Sequence, residues 1–430
     1  MMFDVKAWLE ELIPNEYRAY QPVIGLALGY FVGHLSPARQ GQIRQHQAAL
    51  GAQASSAERL VALMRDCPTL HKLGQVLARD PRLLPAFRER LQSLESCLPL
   101  ASVSDFDWPA ELEAGSALAE GSVASVFACD WRGYPVVSKR LKPGVAERLA
   151  EEFELWGSLS RQLGDWCRQA DLPVFDYASI IASLIHLLQD ELHPQREQQQ
   201  LLAAAQRFLS QAQVHVPRVY PQLIESGVVM ERIVGTPLLE HARGAELFPL
   251  AVQVLITDPF FSPEEDGIFH LDPHPGNLWV TNEGRLALLD WGSTLALPKH
   301  RRLLLTHALL SAWRGDQQDW EFYASQLTGQ PVGPCPRGGA LSGMFEPACW
   351  GEQLPIDLIL LRKILFHLEG VEAQLGQSQL GWQLFLQAGA RFIAELPLRL
   401  AAPATWRGFS THVSNLDIVR HAVLKFWSSD

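Results

Sequence analysis

The residue types best suited to chemistry cluster in His270-Leu-Asp-Pro-His-Pro-Gly-Asn277 and, thirteen residues after Asn277, in Asp290-Trp-Gly292. Carboxylates and amide oxygens are hard donors of the kind Mg²⁺ takes. Asp290 supplies the first and Asn277 the second, while Asp272 is placed to orient or deprotonate a hydroxyl or a water. Phosphoryl transfer calls for this set, because negative charge must be offset while an acceptor is aligned. Leu278-Trp-Val280 and Arg285 to Asp290 flank the turn Thr281-Asn-Glu-Gly284, so a hairpin would hold the two ligands at a fixed separation. Asp, Asn and Gly are also what surface turns use. The five-residue spacing of Asp272 and Asn277, the hairpin and the Asp-x-Gly, all in register, favour chemistry over a turn.

That spacing is the one found in the HRDxxxxN catalytic loop of kinases, with Asp290-Trp-Gly292 standing where DFG would. Such a site needs a phosphate-covering loop and a lysine upstream. Leu118-Ala-Glu-Gly-Ser-Val-Ala-Ser-Val-Phe127 is a candidate loop, in which the small residues Ala119, Gly121, Ser122 and Ala124 let backbone approach phosphate oxygens and Val123 is a further candidate nucleotide contact. It is not a GxGxxG. Val136-Val-Ser-Lys139 resembles the strand that carries the phosphate-pairing lysine, although a lone lysine at a strand end is usually a solvated edge residue. Its carboxylate partner should come from a helix; Glu151 and Glu152 are nearest in sequence, Glu191 and Glu197 further on. Val228-Val-Met-Glu231 reads as a buried strand leading into a linker, with Met230 equally suited to core packing and to a base pocket.

The elements that must position these groups are α+β. A helical pattern from Ala57 to Leu94 precedes a linker at Pro99 to Pro109. Ser122 to Phe127 and Tyr134 to Lys139 form a hairpin, and a long helical stretch from Val145 to Gln213 breaks near Leu172-Pro173 and Pro194. Pro217 to Tyr220 and Gly227 to Val234 read as strands; the remainder is helical apart from the Leu278–Asp290 hairpin. Two amphipathic stretches, Leu354 to Leu368 and Trp382 to Leu400, suit core packing more than the alternative, membrane binding.

Composition bounds the rest. The chain has 430 residues, enough for two or three domains, and its 47 acidic and 36 basic residues leave a net charge of −11, which disfavours nucleic acid as a partner. Six scattered cysteines with no CxxC point to a reducing compartment, and no basic-then-apolar leader opens the sequence. Charged residues are scarce at 19%, and none occurs between Arg18 and Arg39. Within that stretch Gly25, Gly29 and Gly33 recur every four residues, which suits either an ordinary buried helix or one that meets a membrane or a second copy.

On these residues the chain resembles the UbiB family of atypical protein-kinase-like proteins. Gly267-Ile-Phe-His-Leu-Asp-Pro-His-Pro-Gly-Asn277 is close to the family's GFFHADPHPGN, and Lys72-Leu-Gly-Gln75, followed by Arg79-Asp-Pro-Arg-Leu-Leu-Pro85, resembles its KxGQ extension. Gly121-Ser122 falls in the alanine-rich loop, and Glu191-Leu-His-Pro-Gln-Arg-Glu197 corresponds to ELDYxxEAxN. The resemblance implies a two-lobed protein-kinase-like fold: a helical extension (1–100), an N-lobe with inserted helices (101–236) and a mainly helical C-lobe (237–430). It implies ATP and Mg²⁺ as ligands, Lys139 paired with Glu197, Asp272 as a catalytic group, Asn277 and Asp290 on the metal, and Met230 and Glu231 beside the nucleotide. Lys72 and Gln75 would lie where a protein kinase admits its peptide, with Glu191 as the partner of Lys72. The implied activity is ATP hydrolysis or small-molecule phosphoryl transfer supporting isoprenoid-quinone synthesis. The implied partners are a quinone precursor or other lipid, the membrane surface, quinone-biosynthesis proteins and a second copy of the chain, in a cytoplasmic or peripheral membrane setting.

The chain also departs from the family. His193 stands where the family has an aspartate, Gln200 replaces the final asparagine of that motif, and Glu120 in the loop would repel phosphate if it pointed inward. These favour a nucleotide-binding pseudokinase scaffold as an alternative. Leu289-Asp-Trp291 is shared with aminoglycoside- and choline-kinase-like phosphotransferases, a second alternative that the KxGQ-like element opposes.

Overall fold

The computed structural model describes residues 5–77, 83–92, 94, 102–174, 177–221, 227–336, 341–345, 347–350 and 354–427. Part of the stretch from Arg79 to Pro85 and the start of the Pro99–Pro109 linker lie outside them. The chain divides into two compact units, Met1–Leu202 with Arg218–Arg232, and Ala203–Pro217 with Ile233–Asp430.

The first unit begins with helices α1 (Val5–Leu12), α2 (Gln21–His34), α3 (Pro37–Ala49), α4 (Ser56–Asp66), α5 (Pro68–Leu77) and α6 (Pro85–Gln92). Their apolar faces share a core with α7 (Val145–Gln169): Trp8, Phe31, Leu63 and Leu70 pack with Trp156 and Leu159. In α2 one side is buried through Val23, Phe31 and Val32, while Gly29 and Gly33 face open space. Gly74 is closely packed by the side chains of Leu94 and Met64. A Cβ there would lie 2.5 Å from Leu94 Cδ1 and 2.9 Å from Met64 Sδ.

A buried charge fastens this bundle to α7. Glu152 is wholly buried and accepts from Thr69 N (2.9 Å), Thr69 Oγ1 (2.6 Å) and Arg39 Nη2 (2.5 Å). Arg39 also donates to Glu151 and to Asp66 O, and Trp156 Nε1 donates to Thr69 Oγ1. Desolvating a carboxylate costs several kcal/mol unless it is paired and hydrogen-bonded, and these donors from α3 and α5 meet that need.

The sheet of this unit has the order β1-β2-β3-β5, antiparallel throughout, with β1 (Glu113–Glu120), β2 (Ala124–Trp131), β3 (Tyr134–Leu141) and β5 (Gly227–Glu231). The sequence of β1, EAGSALAE, has almost no β-branched or aromatic residue, so its strand character comes from pairing with β2. The expected loop from Leu118 to Phe127 therefore shrinks to the turn 121–123. Pro217 to Tyr220 forms only a single bridge, Val219 to Met230. The long helical stretch divides into α7, α8 (Tyr177–Glu191) and α9 (Pro194–Arg207), and Pro194 opens α9, where its missing N–H costs nothing.

In the second unit β4 (Val214–His215) runs parallel to β9 (Leu286–Leu288), which pairs with β8 (Leu278–Thr281), and β8 pairs with β6 (Gly235–Pro237). The end of the expected linker after Glu231 is thus a strand. Helices α10 (Gly244–Val252) and α11 (Asp258–Phe260) follow, then β7 (Asp266–His270), which pairs with β10 (Thr294–Pro298); these two strands fall where the sequence pattern suggested helix or loop. The remainder is helical: α12 (Lys299–Arg314), α13 (Gln317–Thr328), α14 (Pro347–Trp350), α15 (Ile356–Gln374), α16 (Leu380–Ala401) and α17 (Asn415–Trp427). Arg302 is buried and donates to the carbonyls of Leu297, Phe260, Ser262, Glu264 and Glu265, holding the approach to β7.

Helix α15 is core, through Leu358, Leu361, Ile364, Leu365 and Leu368. Helix α16 is not, contrary to the reading of Trp382 to Leu400. Its polar residues face the protein: Gln387 bonds Thr257 and Pro249 O, and Arg391 pairs with Asp258. Its apolar residues Trp382, Phe385, Leu386 and Ile393 are exposed, which inverts the expected amphipathic arrangement. No helix among the described residues is long and apolar enough to cross a membrane. The elements make an α+β, protein-kinase-like chain with an all-helical N-terminal extension.

Two outcomes are expected. Replacing Glu152 by Ala strands Arg39 and the Thr69 donors, which should cost about 3–5 kcal/mol and lower the unfolding midpoint by roughly 10 °C; a shift under about 2 °C in calorimetry would contradict the network's importance. Burial lowers His71, His412 and His421 to about 4, against an ordinary 6.5. They stay neutral in the folded chain while the unfolded chain gains protons below that ordinary value. Stability should be level above about pH 7 and fall towards pH 4, by up to about 3 kcal/mol per histidine, and His412→Gln should flatten the fall in a pH series of melting curves.

Candidate active site

The candidate residues form two sets, one in each unit. In the first, strand periodicity sorts the side chains. Ala119 is opposite Val126, Val126 opposite Lys139, and Lys139 opposite Val228, so these share one face of the sheet with Met230, two positions on. The other face carries Phe127, Cys129, Val136 and Val229, packed with Leu112 and ringed by Phe106 and Trp108. Lys139 Nζ lies 3.0 Å from Glu197 Oε1, near the start of α9. Glu151 and Glu152 are instead taken by Arg39.

Glu120 is opposite Ser125 and Ser125 opposite Arg140, which puts Glu120 on the face away from Lys139. There it is buried and paired with Lys142 at 2.7 Å. Its charge is neutralised by a lysine the motif reading passed over. The turn between β1 and β2 is tied at both sides, by Gly121 N to Ala124 O (2.8 Å) and Lys142 N to Val123 O (2.9 Å). Ser122 Oγ donates to Glu191 Oε2 at 3.2 Å, and Glu191 Oε1 meets Lys72 Nζ at 2.6 Å. Loop, α8 and α5 are thereby linked through one carboxylate. Gln75 Nε2 and His71 Nε2 both donate to Leu94 O, at 3.1 and 2.9 Å. His193 is exposed at the α8–α9 junction. Glu231 N is bonded to Arg218 O and Tyr220 N to Val229 O, so β5 is paired along both edges.

In the second set the loop after β7 folds on its own backbone. Asn277 Nδ2 donates to Asp272 O (3.0 Å) and Leu289 N donates to Asn277 O (2.9 Å), bringing Asp272, Asn277 and the residue before Asp290 together. His270 is buried between them. Its Nδ1 accepts from Asp272 N (3.1 Å) and its Nε2 donates to Leu289 O (2.9 Å), a neutral ring that burial keeps below its ordinary pKa. Trp291 stacks edge-on to His270 with centroids 4.8 Å apart, neighbours Phe208 and donates Nε1 to Leu288 O. Asp290 adopts φ 52°, a left-handed conformation that aspartate tolerates better than most residues, and its Oδ1 accepts from Gly292 N.

Because the Asn277 amide nitrogen is committed to Asp272, an ion here would be offered its oxygen, together with the Asp290 carboxylate. Mg²⁺ takes few protein ligands and completes its shell with water and phosphate oxygens, so this sparse oxygen set fits it. Among the described residues no group of three or more His, Cys, Asp and Glu side chains is placed to hold an ion.

Motif reasoning missed two residues at Asp272. Lys363 Nζ lies 3.1 Å from Asp272 Oδ1, and His367 Nδ1 lies 3.6 Å from the same oxygen. The available signal was their one-turn spacing within a leucine-rich helix.

The sequence profile of the ABC1 atypical kinase-like domain matches residues 111–324. The chloroplast protein ACTIVITY OF BC1 COMPLEX KINASE 3 of Arabidopsis thaliana is 27% identical over 303 residues, 65% of this chain and 42% of its own length. The "Probable protein kinase UbiB" of Cellvibrio japonicus is 27% identical over 372 residues, 75% of this chain and 66% of its own; that of Sodalis glossinidius is 25% identical over 428 residues, 85% and 77%. The chain thus spans under half of the plant relative and just under two thirds of the Cellvibrio one. Among solved structures, the Rv3197–erythromycin complex from Mycobacterium tuberculosis aligns with a TM-score of 0.49 at 17% identity, covering 82% of this chain and 88% of that one.

For the loop, Lys142→Ala removes the cation from a carboxylate that is only 9% exposed and should destabilise the chain by about 3 kcal/mol. The double variant Glu120→Ala/Lys142→Ala should recover most of that loss in denaturant unfolding. Equal loss in the single and double variants would show that the pair is not the cause.

Proposed function

We propose, for a chain that belongs to the UbiB/ABC1 family of atypical kinase-like proteins, that it binds MgATP and acts as an ATPase or small-molecule phosphotransferase in support of isoprenoid-quinone biosynthesis. The observation that carries this reading is the convergence of Asp272, Asn277 and Leu289-Asp290 through the Asn277–Asp272 and Leu289–Asn277 bonds. Bound MgATP would supply the phosphoryl group and the cation that offsets its charge. On this reading Lys139, held by Glu197, binds phosphate oxygens, and the small residues Ala119, Gly121 and Ser122, with Val123, cover them. Met230 and Glu231 flank the base, while Asn277 and Asp290 hold the metal. Asp272 aligns an acceptor hydroxyl or water and takes up its proton.

Residues 1–100 act as a separate extension in this proposal. On this reading Lys72 and Gln75 would lie on the side a peptide would use, and the Lys72–Glu191 ion pair, which ties α5 to α8, supports a role away from protein phosphorylation. Peripheral contact with the inner face of the cytoplasmic membrane, a lipid or quinone-precursor ligand, biosynthetic protein partners and self-association belong to the same proposal. The exposed apolar side chains of α16 supply a surface that lipid contact would need. His193, in place of an aspartate, favours a second reading, a nucleotide-binding scaffold without turnover.

The test compares wild type with Asp290→Asn for MgATP-dependent thermal stabilisation and phosphate release, with and without liposomes. Saturating MgATP at about a hundred times its Kd should stabilise wild type by roughly 2.7 kcal/mol, and the variant should lose most of this. Stabilisation without release would select the scaffold; neither effect in wild type would remove the nucleotide reading. An unchanged quinone profile in a deletion strain would remove the biosynthetic role.

A further inference from the structure

Helix α15 does more than fill the core. Lys363 and His367 stand one turn apart on it and both address Asp272 Oδ1, while His274 Nε2 lies 4.0 Å from the other oxygen, Oδ2. The helix is a rigid base for this contact, since Leu361, Ile364, Leu365 and Leu368 around the two residues are buried. The His367 side chain is itself 5% exposed, whereas Lys363 and Asp272 are each 29% exposed, so the contact is backed by a buried side chain while the carboxylate itself stays accessible.

We propose that Lys363, backed by His367, is a positioning residue for Asp272: it grips Oδ1 and so turns Oδ2 towards the acceptor. The kinase-type loop offers no such cation of its own here, because His274 follows Asp272 by two positions and no lysine or arginine lies between His270 and Asn277. A carboxylate on a loop has a freely turning χ2, and alignment of an acceptor to within a few tenths of an ångström requires that freedom to be removed. An ammonium delivered from a packed helix removes it. The inference rests on Asp272 being the group that aligns the acceptor.

The experiment uses the full chain, with Lys363→Met, Lys363→Arg and Asp272→Asn as single variants and Lys363→Met/Asp272→Asn as the double. In the nucleotide-free protein the effects of Lys363→Met and Asp272→Asn on the unfolding midpoint should be non-additive, the double variant being no less stable than the worse single one. In turnover, Lys363→Met should lower kcat by about tenfold or more while KM for MgATP moves by less than about twofold, and Lys363→Arg should restore most of the loss. A general loss of structure would instead weaken MgATP-dependent stabilisation and would not be repaired by arginine. Additive midpoints, or an unchanged kcat in Lys363→Met, overturn the proposal. A wild type that binds no MgATP sinks the nucleotide reading and leaves the nucleotide-free cycle to decide whether Lys363 holds Asp272.

Discussion

The ion pair between Arg39 and Glu152 is the constraint on which the first unit turns. A carboxylate with no exposed surface must be met by a cation and by donors for its remaining lone pairs, or it cannot remain charged there. Arg39 comes from α3, the Thr69 donors from α5, and Glu152 itself from α7. Three helices far apart in sequence are thereby held in one arrangement. Thr69 lies one turn from Lys72, so the same contact sets where α5 presents Lys72 and hence its reach to Glu191.

The rule extends to the candidate site. Charged side chains are scarce in this chain, and four carboxylates of the two candidate sets are paired with cations: Glu120 with Lys142, Glu191 with Lys72, Glu197 with Lys139 and Asp272 with Lys363. These pairs are only partly exposed, so solvent screens them less than it would a surface bridge. Two of them, Lys72–Glu191 and Lys139–Glu197, fix two ammonium groups within the first unit, and the Glu120–Lys142 pair neutralises a buried negative charge.

Strand periodicity supplies the second organising principle. Alternation places Lys139, Ala119 and Met230 on one face of the sheet and the apolar core on the other. A shift by one residue would exchange the two faces, so the register that buries Phe127 and Val136 is also the one that presents Lys139. In the second unit a short loop and hairpin do comparable work with backbone bonds. His270 and Trp291 fill the space beneath them, so the tryptophan of Asp290-Trp-Gly292 serves as packing.

What the sequence determined by itself was local. The spacing of Asp272, Asn277 and Asp290, the hairpin between them and the helix break at Pro194 depend on short-range geometry, and residue types record that geometry directly. Only the tertiary structure decided the rest. EAGSALAE became a strand because β2 offered it a ladder, β7 and β10 paired across an intervening hairpin, and α16 turned its polar residues inward because Thr257 and Asp258 met them there. The pairing of Arg39 with Glu152, the face taken by Glu120 and the arrival of Lys363 at Asp272 join residues separated by many turns of chain. No local pattern encodes such partners, since a buried charge is satisfied by whichever opposite charge the packing brings to it.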